Sequence, residues 1–143
     1  MDNEQIVAKL RQDHAYMVAL MERIATLCTQ TQARSDCNAC PSEHHSLCQD
    51  TLEQLILRFA DVTLRHNLVE SACMSDRVPR EHRQAHNEAH LAIAKEIQAI
   101  RQLFRKDGNG IAAIRQVGQV LAMLRKHLLE YDQPLESYLL ATS

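Results

Sequence analysis

The chain has 143 residues, enough for one domain to bury a core without disulfide support. Its formal net charge is -2 and only 24% of residues are charged, so no basic field exists to hold nucleic acid or an anionic membrane. No apolar run approaches the roughly 18 residues of a membrane span, and the acidic start Met1-Asp2-Asn3-Glu4 is unlike a signal peptide. The cytoplasm is therefore the expected compartment.

The first helix is marked by Ile6, Leu10, His14, Met17, Met21, Ile24 and Cys28, which recur at steps of three and four along one face. The stretch from Thr29 to Ser42 breaks that pattern with small and polar residues and Pro41. A second helix is expected to start between Ser42 and Ser46, with Leu52, Leu55, Phe59, Val62, His66, Glu70 and Cys73 as its stripe. The connection Ser75-Asp76-Arg77-Val78 leads to Pro79, a residue suited to a first helical turn. The third helix carries His82, His86, His90, Ile93, Ile97, Ile100 and Phe104, and stops at Lys106-Asp107-Gly108. Asn109-Gly110 opens the fourth, with Ile114, Val117, Leu121, Leu124 and Leu128 inward, and Pro134 is expected to bend or end it after Asp132. Leu135 to Leu140 reads as one more helical turn or a lead-out segment. With 3 glycines, 3 prolines and no strand alternation, the expectation is all-α: a single domain over 1–143, an up-down-up-down antiparallel four-helix bundle.

The positions of the histidines carry the chemistry. His14, His66, His86 and His90 each replace an apolar residue inside a helical stripe. Burying one imidazole costs a few kcal/mol unless its nitrogens find partners, and several facing one another need a shared partner. A metal is such a partner, because neutral imidazole ligates iron, zinc and copper. His66 and Glu70 share one face at a spacing of four, as do His86 and His90. His127 and Asp132 are five apart, a spacing that an ideal helix does not place on one face, so their joint use requires local loosening near Pro134. Five imidazoles and two carboxylates suit a pair of borderline ions bridged by the carboxylates. Taken singly, His14 reads as a hydrogen-bonded core residue and His66/Glu70 as a surface pair; the ordered set on four helices outweighs those readings.

The ordered set Asp13-His14, His66-x-x-x-Glu70 with Met74, His86-x-x-x-His90 and His127-x-x-x-x-Asp132 resembles the hemerythrin family over nearly the whole chain. The resemblance implies one iron held by His86, His90 and His127 and a second held by His14 and His66. Glu70, Asp132 and an oxo or hydroxo group would bridge them. The two-histidine iron would keep an open position where molecular oxygen binds and is reduced as both irons oxidise. No second HxxxE pair is present, which separates the chain from the iron-sulfur repair relatives of similar fold.

Three features depart from the family pattern. The connection from about 28 to 48 carries Cys28, Cys37, Cys40 and Cys48, and Cys37-x-x-Cys40 has metal-ligand spacing. A zinc site, a reversible disulfide and unligated thiols all remain open there. Aromatics are 3% with no Trp, and polar Asn67 follows His66 where the family commonly has a ring; with Met123, Leu124 and Leu128 it would line a polar, loosely packed oxygen pocket. His82, one turn before His86, reads as a residue behind the ligands or at the surface, and Cys73 as a small buried apolar residue.

The expected function is a non-haem di-iron oxygen or redox sensor, a module regulating a signalling output such as a C-terminal diguanylate cyclase. The alternatives are a stand-alone oxygen carrier, a di-iron oxidase or peroxidase, and an iron-handling protein. A homodimer is compatible with any of them. No catalytic residue beyond the metal site is expected.

Overall fold

The computed structural model describes residues 2–28, 45–74, 78–107 and 110–141. Five α-helices account for nearly all of them: α1 (Asn3–Ala25), α2 (His45–Cys73), α3 (Arg80–Asp107), α4 (Gly110–His127) and α5 (Gln133–Ala141). A single π-helical turn, Leu128–Asp132, joins α4 to α5 without a break. α1 packs against α2 and α4, and α3 packs against the same two helices, which closes a four-membered ring. α5 prolongs α4 and lies against α1. The architecture is the expected antiparallel four-helix bundle.

Local signals set the helix ends. Asp2 caps α1 reciprocally with Gln5, its carboxylate accepting from the Gln5 N–H at 2.8 Å and the Gln5 side chain accepting from the Asp2 N–H at 3.0 Å. α1 ends at Ala25, one turn before the Cys28 expected on its stripe. There the Thr26 hydroxyl donates to the Glu22 carbonyl at 2.9 Å and satisfies a terminal acceptor. α2 begins inside the expected window. Pro79 sits just before α3 rather than within it, its carbonyl accepting the first helical bond from the Arg83 N–H at 3.0 Å. Pro134 does not end the last helix: it is the second residue of α5, directly after the π turn.

Two apolar clusters fill the bundle. The larger holds Met17, Met21 and Ile24 of α1, Leu52 and Phe59 of α2, Ile93 and Ile97 of α3, and Ile114, Val117 and Leu124 of α4. The smaller, at the other end, holds Val7, Leu10, Met74, Val78, Leu135 and Leu139. Fully burying one such side chain contributes about 1.5–3 kcal/mol, so these clusters carry the fold. Between them every helix turns polar. His14 lies between Leu10 and Met17, His66 and Glu70 between Phe59 and Met74, and Asp132 between Leu124 and Leu135, all buried. The bundle thus presents one polar layer enclosed by two dry ones.

Among the described residues no helix is long and apolar enough to cross a membrane.

Candidate metal centre

Seven side chains from the four helices meet in the polar layer. Glu70 Oε1 lies 3.2 Å from His66 Nε2, 3.1 Å from His90 Nε2 and 3.7 Å from His86 Nε2, while its Oε2 lies 3.4 Å from His14 Nε2. Asp132 Oδ1 lies 2.9 Å from His86 Nε2 and 3.0 Å from His127 Nε2, and its Oδ2 lies 3.2 Å from His14 Nε2. Each carboxylate therefore faces imidazoles from both sides of the layer. The potential ligand atoms fall into two overlapping groups, Glu70 with His86, His90, His127 and Asp132, and His14 with His66 and Glu70. Within each group they lie no more than 4.8 Å apart.

The π turn makes the fourth helix fit. An α-helix places residues i and i+4 on one face, and the wider turn restores that relation at i+5. The Gln133 N–H donates to the Leu128 carbonyl, five residues back, and the added residue brings both His127 and Asp132 inward. The loosening that the five-residue spacing required is this turn.

The donor set fits metal ions. His14 Nε2, His66 Nε2, His86 Nε2, His127 Nε2, Glu70 Oε2 and Asp132 Oδ1 are all buried and have no hydrogen-bond partner. Buried polar atoms are rarely left so, and six converging on one spot require an occupant that accepts lone pairs.

Residues 5–139 match the family model of the hemerythrin HHE cation-binding domain. The chain belongs to the hemerythrin family. No curated protein and no solved structure matches it. In this hemerythrin domain the match spans α1 to α5, and the buried His/Glu/Asp cluster is that of a metal-binding centre.

The charge balance of the metal-free layer follows from the same contacts. Burial alone would raise the Glu70 carboxyl, but the imidazoles of His14, His66, His86 and His90 around it hold it far below the usual carboxylate range. Burial would lower His86, yet the Asp132 and Glu70 carboxylates beside it push it up to about 9. His66 is raised in the same way by Glu70 and Asp13, against burial. His90 is lowered, because burial outweighs its Glu70 contact. His66 and His86 thus hold a proton more firmly than a free imidazole, and His90 less firmly.

A second ring of residues orients these imidazoles. His66 Nδ1 lies 3.2 Å from Asp13 Oδ2, whose other oxygen accepts from Lys9 Nζ at 2.6 Å. A carboxylate on Nδ1 fixes the tautomer that leaves Nε2 free for a metal. His86 Nδ1 lies 3.0 Å from His82 Nε2, so His82 stands behind a candidate ligand. The Tyr131 ring packs at 5.5 Å from His86 and 5.2 Å from His127. Asp13 stands in the ordered set through its pairing with His14, whereas the contact of Tyr131 with His86 had no signal in the sequence, since it joins two helices and breaks no stripe.

The expected pocket residues are not gathered in one cavity. Asn67 lines an apolar groove between α2 and α3 with Leu64, Leu68 and Leu91. Met123 lines a depression between α3 and α4. Leu124 is buried in the larger core, and Leu128 lines a cleft beside His14 and Asp132. Cys28 is half-buried just past α1, and Cys73 half-buried at the end of α2. Cys37, Cys40 and the side chain of Cys48 lie outside the described residues, as does any zinc site or disulfide they would form.

Proposed function

We propose that this hemerythrin domain holds two non-haem irons and acts as an oxygen or redox sensor. His86, His90 and His127 would hold one iron, His14 and His66 the other, and Glu70 and Asp132 would bridge them with an oxo or hydroxo group. The observation that carries the reading is the pair of ligand groups sharing Glu70, all buried between two apolar cores. A bound iron pair supplies a two-electron couple matched to dioxygen.

The chain's own residues define the rest. Asp13 and His82 keep His66 and His86 turned with Nε2 inward. Leu10, Met17, Leu124 and Leu135 exclude water above and below the layer. Two histidines would fill the ligand role on the His14 side against three on the other, which would leave room there for an exogenous ligand.

The sensor reading is favoured over a carrier by solvent access. A cleft of about 520 Å³ reaches His14 and Asp132 through polar residues, and water and protons in such a path speed irreversible oxidation of an oxygenated centre. Sensing would be passed to a signalling output such as a diguanylate cyclase. The test is to reduce the iron-loaded protein anaerobically, admit air and follow the ultraviolet-visible spectrum. Rapid decay of the oxygenated form supports a sensor. A form stable for hours would favour a carrier, and repeated turnover of peroxide with a reductant would favour an enzyme.

A further inference from the structure

The cleft between α1 and α5 holds an ion pair that nothing in the metal-centre account uses. Arg11 Nε lies 3.2 Å from Glu136 Oε2, and both residues line the cleft with His14 and Asp132. Arg11 precedes His14 by one turn of α1, and Glu136 follows Asp132 by one turn in α5. Each of the two candidate ligands lining this cleft therefore has a charged neighbour one turn along its own helix. The two partners sit at different depths, the Arg11 side chain 64% exposed and the Glu136 side chain only 10% exposed.

We propose that Arg11 and Glu136 form a charge filter for small monoanions approaching the His14–Asp132 edge of the centre. The proposal rests on the reading of that centre as a metal site open on its His14 side. Arg11 commits its Nε–H to Glu136, and a guanidinium has four further N–H donors on its terminal nitrogens. These stand at the surface, where an arriving anion meets them first. An iron pair held by the His/Glu/Asp cluster would carry net positive charge and would draw the anion inward. Glu136, buried beside that route, opposes it. The two charges thus act on one path with opposite sign, and a neutral ligand feels neither. Fields of this kind change association rates and weaken as salt shortens the Debye length to about 3 Å at 1 M.

The experiment uses the iron-loaded, oxidised protein and azide as the probe, with association followed by stopped-flow absorbance at low and high salt. Arg11→Gln is expected to slow azide association about threefold or more and Glu136→Gln to speed it about threefold. Both differences should shrink in high salt, iron content should stay at the wild-type value, and nitric oxide binding to the reduced protein should be unchanged. Leu91→Ala, in the apolar groove between α2 and α3, should leave azide association unaltered. Rates unmoved by either charge variant, moved in the same direction by both, or moved equally for nitric oxide would overturn the filter. A Leu91→Ala effect larger than either would place the route in the other groove. Absence of iron or of any azide band in the wild type would instead defeat the metal reading, and the filter with it.

Discussion

His127 Nε2 and Asp132 Oδ1 lie 3.0 Å apart although five residues separate them in sequence. Their closeness depends on the π turn Leu128–Asp132, and the same turn sets the rotation of α5 that buries Leu135 and Leu139 against α1. Deleting Leu129, an exposed residue of that turn, should leave an ordinary α-helix in which His127 and Asp132, then four apart, share one face again. The expected outcome is metal content held at the wild-type value with a lowered Tm, because Pro134 would then stand inside an α-helix, measured by metal analysis and thermal unfolding. Loss of metal from the deletion variant would show that the turn does more than bring the pair onto one face.

Asp13→Ala should weaken metal binding about tenfold to a hundredfold, the usual scale for a partner that orients a metal-bound histidine. The loss should fall on the ion beside His66, because the Asp13 contact is to His66 Nδ1. Competition with a graded series of chelators reads it, and Asp13→Asn, which keeps an acceptor oxygen, should recover most of the affinity. Equal weakening in both variants would assign Asp13 a role in charge alone.

Metal uptake should release protons. His86 is pushed up to about 9 in the metal-free layer and is therefore protonated at pH 7, yet a metal accepts only its neutral form. Apparent metal affinity should rise between pH 6 and 8 by about tenfold per unit for each proton displaced. The metal-free protein should show the opposite trend: because the folded value lies above the unfolded one of 6.5, the stability that His86 contributes is complete below pH 6.5 and is lost as pH rises toward 9. Isothermal titration in buffers of different ionisation heat counts the protons, and thermal unfolding of the metal-free protein at pH 6 and 9 checks the second sign. A metal affinity independent of pH in this range would contradict the protonation of His86.

The buried His/Glu/Asp cluster was legible in the sequence because four of its imidazoles, His14, His66, His86 and His90, occupy positions where a helical stripe demands an apolar residue. His14 between Leu10 and Met17, and His86 and His90 ahead of Ile93, break their patterns in a way that only a shared partner compensates. The four helices were equally legible, since their stripes run for many turns. Asn67, Met123 and Leu128, expected around one pocket, line three different surfaces, and stripe position does not reveal which neighbours share a cavity. Tyr131 and the Arg11–Glu136 pair escaped for a related reason, being polar or aromatic residues at positions where a sequence pattern expects nothing special. Pro134 is expected to bend or end the last helix because its missing N–H interrupts an α-helix, yet the helix runs on through it directly after the π turn.

The central claim is that Glu70 ties two ions into one centre. The most direct test is iron content per chain, by elemental analysis of anaerobically reconstituted wild type and Glu70→Ala, with circular dichroism to verify that both remain helical. The account predicts two irons per wild-type chain and, in the variant, loss of one or both, because both ligand groups include Glu70. Two irons retained without Glu70, or fewer than two in the wild type, would contradict it.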